Sequence, residues 1–359
     1  MMLSETRVRA LRWRAQRLAP RDASGDPAAV VHAVGAIQSQ EPPAAALALR
    51  ARGTGFDADD VERARVERRS VVRTWCHRAT IHLVATEDVG WLLGLLRPTL
   101  LAGRERNFRK LGLDARTYSS AVRVLRDALA DGPLTRAEIG ERWLAAGVDA
   151  SGSRLPHLIT RAALDGEVCD GPDRGRERTW VRLADWVHVP DGPQGGDALA
   201  ELARRHLAGH GPAEPRDLAA WSGLKVSDAR AAWALVDQEL EEVQTAVGSR
   251  WVLAGHADPE PVAGPPVVRL LAGFDAYLLG YRDRELAVPP PHTKAVSAGG
   301  LRVLPAVAVD GVVVGTWRQR RRRGTVEIGV QPFGELDRSL LEAEVADVGR
   351  FLGRPATLS

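Results

Sequence analysis

Through the middle of the chain, apolar residues recur at three- and four-residue spacing and are broken by glycine-proline turns, in two stretches that can be laid side by side. Residues 125–190 and 200–255 each open with a helical run and a turn, Asp131-Gly132-Pro133 in one and His210-Gly211-Pro212 in the other. A short helix follows at 136–146 or 215–221, the first with Thr135 and Glu138 in capping-box positions. Each short helix stops at a glycine, Gly147 or Gly223, and a second helix starts behind Ser153 or Ser227. Both stretches then give a strand, a polar turn and a second strand ending in Trp180-Val181 or Trp251-Val252. The first third allows the same parse, with helices at 3–18, 27–37 and 44–50 and a strand pair at 71–84.

Helix, tight glycine turn, second helix and closing hairpin is the layout of a winged helix, so three tandem units are expected. Beyond a proline-rich linker at 261–266 the character changes. The runs 267–271, 276–279, 301–309, 312–316 and 325–330 are short, β-rich and separated by glycine and proline. Asp310-Gly311 is a two-residue hairpin signal, and a helix at 337–352 would cover the sheet. The predicted class is α+β, with boundaries at 1–112, 113–196, 197–264 and 265–359. The four tryptophans that close hairpins, Trp75, Trp180, Trp251 and Trp317, are expected to pack in the cores.

At 359 residues the chain is long enough for several cores. Its longest apolar runs, 89–96 and 301–309, fall far short of the roughly 20 residues of a bilayer span, and the charged N-terminus lacks the apolar segment of a secretory signal. No membrane partner and a cytoplasmic location are therefore expected. Cys76 and Cys169 are too few for a disulfide framework or a cysteine metal site. Without a His/Cys ligand constellation, a phosphate loop or a nucleotide fingerprint, no metal and no cofactor are expected. Basic residues outnumber acidic ones only 49 to 46, so net charge does not announce nucleic acid. Lysine occurs only at Lys110, Lys225 and Lys294, and high-G+C codon usage alone would account for the overall arginine bias.

Four ordered segments add a resemblance. They are Gln38-Ser39-Gln40 before Pro42-Pro43, Arg73-Thr74-Trp75 with Thr80-Ile81-His82-Leu83-Val84, the run Phe274-Asp275-Ala276-Tyr277-Leu278-Leu279-Gly280-Tyr281-Arg282-Asp283-Arg284, and Asp310-Gly311 through Gly315-Thr316-Trp317-Arg318. Spread over three winged units, they make the chain similar to the winged-helix DNA glycosylases of the bacterial AlkZ type. That resemblance implies three winged helices in a C-shaped arrangement with a barrel-like C-terminal β domain. It also implies a monomer that grips double-stranded DNA containing alkylated bases, in the nucleoid, and hydrolyses the N-glycosidic bond. The Gln-x-Gln form resembles the branch acting on bulky N7-alkylguanine and interstrand crosslinks, in base-excision repair or in self-resistance to a genotoxin.

Glycosidic cleavage passes through an oxocarbenium-like sugar and needs a water aimed at the anomeric carbon. Gln38 and Gln40 have no useful pKa, so they can orient water and place partial negative charge but cannot act as ordinary bases. Such weak assistance suffices only when the leaving base is already cationic, as an N7-alkylated purine is. In an extended segment both glutamines face one side and Ser39 the other. The bland alternative is a pair of amides bonded to backbone before Pro42.

Asp275 is the candidate carboxylate base, with Glu41 behind it; its alternative is an aspartate-arginine pair that bolts the β domain to a winged unit. The candidate DNA contacts are Arg73, Arg78 and His82 on the first hairpin, Tyr277, Tyr281 and Arg282 near Asp283, and Lys294 after His292. Lys294 also carries the alternative of an amine nucleophile in a lyase reaction. The stretch Arg318, Gln319, Arg320, Arg321, Arg322, Arg323 should form a hairpin tip whose repelling charges are neutralised by phosphates. A competing function is a non-catalytic winged-helix transcriptional regulator, which would normally be dimeric and prefer one DNA sequence.

Overall fold

Residues 2–257, 265–297, 299 and 302–359 are described by the computed structural model. Positions 261–264 of the expected linker and position 301 of the expected strand lie outside the described residues. Three times the chain runs through a helix, a short extended segment, two helices and a hairpin. Each time the short segment pairs with the last strand of that hairpin.

In the first repeat these elements are Pro27–Val34, Ile37–Gln38, Pro42–Arg52, Ala58–Val66, and the antiparallel strands Val71–Trp75 and Ile81–Ala85, with Ile81–Ala85 in the middle. The second has Ala115–Ala128, Leu134–Thr135, Arg136–Ala145, Arg154–Leu164, Val168–Asp170 and Thr179–Arg182 in the same strand order. The third has Gly195–His210, Pro215–Ser222, Val226–Leu235, Leu240–Thr245 and Gly248–Leu253, and its short segment is Ala213 alone, bonded both ways to Trp251 at 3.0 and 2.8 Å.

Local chemistry places the first repeat's strand. Asp26 caps the Pro27–Val34 helix through the Ala28 amide, and Gly35 ends it at φ +86°. A Cβ at Gly35 would lie 3.1 Å from the Trp221 ring, so glycine also lets the third repeat approach. Pro42 and Pro43 occupy the first turn of the next helix, where their missing N–H groups have no intrahelical partner to lose.

Several expectations are corrected. The opening helix, Glu5–Ala15, does not belong to the first repeat: Leu3, Val8 and Leu11 pack with Val243, Val252 and Ala257 of the third. The Ala58–Val66 helix was not anticipated, because charge dominates its sequence and just Val61, Ala64 and Arg65 are buried. Its capping box, Asp57 with Asp60, was the available signal. Thr86–Ala102, apolar on several faces, joins the first two repeats.

The C-terminal part is a five-stranded sheet. Its order is Ala356–Leu358, Thr325–Pro332, Val312–Arg322, Ala306–Val309, Val268–Leu271, with only the first pair parallel. The helix Ser339–Phe351 covers it through Leu341, Val345, Val348 and Phe351. The run 276–279, expected as a strand, is a single helical turn capped by Asp275. A short apolar run has no periodicity to separate the two forms. Trp180 and Trp317 are buried, the latter donating its indole N–H to Leu271 O at 2.7 Å.

The Pro42–Arg52 helix is the bolt between the first repeat and this sheet. Arg50, fully buried, donates to Glu344 at 3.0 Å and Asp347 at 2.9 Å, while Arg52, also fully buried, forks onto Asp275 at 2.9 and 2.6 Å. No helix among the described residues is long and apolar enough to cross a membrane.

Candidate active site

Gln38 is the last residue of its short strand and lies directly opposite His82, which in turn lies opposite Thr74. Residues facing one another across antiparallel strands share a face, so these three form a row. The opposite face carries Ile37, Leu83 and Arg73 in register, and Arg73 reaches Ser39: its Nε donates to Ser39 Oγ at 3.0 Å and its Nη2 to Ser39 O at 2.9 Å. Gln38 and Ser39 therefore point to opposite sides, as the alternation requires.

The glutamines differ in burial. Gln38 is buried and its Oε1 accepts from Arg78 Nη2 at 2.9 Å. Gln40 is exposed, and its Oε1 receives only a long contact, 3.5 Å, from the Ile81 amide. Among the described residues no carboxylate hydrogen-bonds to either amide. Glu41, exposed beside Gln40, lines a cavity of about 160 Å³ with Phe274, Trp317 and Gln319 at the start of the Pro42–Arg52 helix.

Arg78 occupies the tip of the first hairpin at φ +55°. Besides Gln38 it donates to the backbone oxygen of Trp221 in the third repeat. Burial lowers its pKa to about 10. His82 is buried, and burial, followed by the nearby Arg78 charge, lowers its pKa to about 3. Its Nδ1 lies 3.0 Å from Thr80 O; a carbonyl only accepts, so Nδ1 carries the proton and Nε2 is a bare acceptor.

Other expected site residues lie elsewhere in role. Asp275 is wholly buried and spent on Arg52 and the Tyr277 amide, which leaves no route for it to reach a water at Gln38. The bolt reading of this aspartate is the one its contacts match. Tyr277 is buried, donates its hydroxyl to Gly311 O at 2.9 Å and meets Trp13 edge-on, so it has no surface to stack on a nucleotide. Tyr281 is buried under Arg12, whose guanidinium lies 3.8 Å from the ring centroid. Arg73 is buried and paired with Asp170, which also takes Arg178; it ties the Gln-bearing strand to the second repeat instead of facing DNA.

Arg282 and Lys294 are exposed, Arg282 lying 3.5 Å from Asp283. Arg318, Arg320, Arg321, Arg322 and Arg323 are all exposed along one hairpin whose turn is Arg323-Gly324. Among the described residues, only Arg322 has an acidic partner there, Glu327 at 3.1 Å.

A family model described as DNA glycosylase AlkZ-like matches residues 31–351. The chain belongs to the AlkZ-like DNA glycosylase family. It is 30% identical over 367 aligned residues, covering 95% of each chain, to an interstrand DNA cross-link repair glycosylase of Streptomyces sahachiroi. Its fold is similar to that of Streptomyces sahachiroi DNA glycosylase AlkZ, with a TM-score of 0.82, 27% identity and full coverage of both chains. An AlkZ-like glycosylase is a hydrolase of N-glycosyl bonds with DNA as substrate, which sets aside the non-catalytic regulator.

Sequence reasoning missed a second group beside this site. His77, His206 and His210 are fully buried around Trp221, with ring separations of 4.0, 5.2 and 5.1 Å from it. Among the described residues, neither ring nitrogen of His77 has a hydrogen-bond partner. Burial holds His206 down to about 4 and His77 and His210 well below the ordinary histidine value. His206 and His210 are one turn apart on the Gly195–His210 helix and stack at 4.8 Å, a spacing the sequence offered, whereas His77 joins them only where the first and third repeats meet. Among the described residues, one group has metal-compatible spacing: His32, Glu87 and Asp88. Arg205 already faces it, 3.2 Å from Asp88 and in contact with His32, and supplies the balancing charge.

Proposed function

We propose that this AlkZ-like glycosylase hydrolyses the N-glycosidic bond of cationic N7-alkylated purines in duplex DNA, with a water oriented by Gln38 and Gln40. The observation that carries the reading is the chemistry of the acceptors. One carboxamide is offered from the end of the short strand and the other two residues beyond it, no carboxylate among the described residues bonds to them, and Asp275 is locked onto Arg52. Acceptors this weak serve a base that departs without protonation, and a positively charged purine meets that condition.

The Streptomyces sahachiroi relative is described as repairing interstrand DNA cross-links, and the proposal extends to bulky adducts and crosslinks, in repair or genotoxin resistance. The protein would act as a monomer, with the exposed arginines of the C-terminal hairpin on the DNA backbone.

The test uses duplexes carrying N7-methylguanine, a bulky N7 adduct, a crosslink or uracil, with products resolved after abasic-site cleavage. Release should be confined to the cationic lesions. A Gln38→Ala/Gln40→Ala variant should lose on the order of 100-fold in single-turnover rate, the scale of removing a preorganised polar group from a reacting centre. Efficient uracil release, or an undiminished double variant, would sink the reading.

A further inference from the structure

The tip of the first hairpin contains an arginine whose bonding is unusual for a half-buried cation. Among the described residues, Arg78 has two hydrogen-bond partners, Trp221 O and Gln38 Oε1, and both are neutral oxygens. Partial desolvation without a carboxylate partner carries a cost, and both of its hydrogen bonds fix it between two segments of the chain, which points to a role in their arrangement. Its setting is rigid. The adjacent His77 ring lies 4.0 Å from Trp221, and a Cβ on Gly223 would come within 3.0 Å of the Arg78 backbone. Gly223 itself ends the Pro215–Ser222 helix at φ +88°, so the third repeat presents both the carbonyl and the close approach.

We propose that Arg78 is a positioning residue for glycosidic cleavage: clamped between the third repeat and Gln38, it sets which way the Gln38 carboxamide faces. This rests on the reading of Gln38 as a water-orienting group. A carboxamide has two orientations that exchange its oxygen and its NH2. A guanidinium only donates, so Arg78 accepts one orientation alone, with Oε1 turned towards it. One oxygen lone pair remains for a water, and the NH2 points the other way. Gln40 has no such clamp, so the two amides are unequal: one preset and one adjustable. Because the clamp is anchored on Trp221 O, the preset also depends on the first and third repeats staying docked. An orienting group misplaced by a rotated amide costs rate without costing DNA affinity.

The experiment compares Arg78→Met, Arg78→Lys, Gln38→Ala and Gln38→Ala/Arg78→Met in the full-length chain. Single-turnover rates are measured on a duplex with one N7-methylguanine, and Kd on the same duplex carrying a 2′-fluoro group that blocks cleavage. Arg78→Met should slow cleavage at least tenfold at saturating enzyme, with Kd changed less than threefold. Arg78→Lys, which still donates, should recover part of the rate. In the Gln38→Ala background, Arg78→Met should cost less than a further twofold, because the group it positions is gone.

An unchanged rate in Arg78→Met, a loss seen only in Kd, or effects that multiply in the double variant would each overturn the proposal. Should Arg78→Met fail to fold, Arg78→Lys carries the same cycle, with melting temperatures compared throughout. A slow Gln38→Ala beside a normal Arg78→Met sinks this inference and leaves the glycosylase site standing. A normal Gln38→Ala sinks the site itself.

Discussion

The tips of the first and the C-terminal hairpins both carry arginine, and they use it in opposite ways. At the first, Arg78 is drawn inward, spends its hydrogen bonds on Trp221 O and Gln38 Oε1, and has its pKa lowered to about 10 by burial. At the other, Arg318 and Arg320 to Arg323 stand exposed along strand 312–322 and its turn, and among the described residues Glu327 alone pairs with them, through Arg322. The difference lies in what packs behind each tip. Trp221 and Gly223 of the third repeat close over the first; among the described residues nothing closes over the second. An enclosed arginine becomes part of the site's geometry, whereas an open cluster of like charges is left to a polyanion.

The contrast is broken or sharpened most strongly at the enclosed end. Arg52 and Asp275 are both fully buried, so Asp275→Ala would leave a cation without its partner and should cost about 3–5 kcal/mol of stability in urea unfolding. A loss under about 1 kcal/mol would show that enclosure does not govern these arginines. Next in size is a pH effect at the histidines around the first tip. His82 and His206 have folded-state pKa values lowered to about 3 and about 4, below the unfolded value of 6.5. The unfolded chain therefore binds protons that the folded chain refuses, and stability falls as pH drops below about 6.5. By pH 5, 1.5 units lower, each should have cost about 2 kcal/mol. A stability curve flat from pH 7 to 5 would contradict their burial as neutral rings.

The smallest effect on stability belongs to the open end. Replacing Arg320, Arg321, Arg322 and Arg323 with Ala should change unfolding free energy by no more than about 0.5 kcal/mol per site. DNA affinity should fall for every sequence tested, and the salt slope should shrink by about 0.9 for each lost phosphate contact. An unaltered salt slope would place the DNA elsewhere.

The repeats were readable because their signals are local. Gly147 and Gly223 follow the ends of helices, Thr135 and Glu138 form the capping box, and Trp180 and Trp251 lie within the closing strands, each signal being carried by a few neighbouring residues. The opposite facing of Gln38 and Ser39 was readable for the same reason, since extended backbone alternates without a distant partner, but the strand ends at Gln38 and leaves Gln40 exposed beyond it. The Ala58–Val66 helix escaped because its small apolar face is hidden among charges, and the Glu5–Ala15 helix was assigned to the wrong repeat because its partners lie more than 200 residues away.

Residue chemistry and spacing by themselves determined that this chain would build repeated helix-helix-hairpin units, a β-rich C-terminal part and a short extended segment with two amides at its end. They also placed five arginines on one hairpin. Only the tertiary structure decided who partners whom: that Asp275 belongs to Arg52, Arg73 to Ser39 and Asp170, and Arg78 to Gln38 and Trp221. The physical reason is range. Turns, caps and strand alternation are set within a few residues, whereas desolvation and hydrogen-bond choice depend on which segments close over a side chain, and those come from distant parts of the chain.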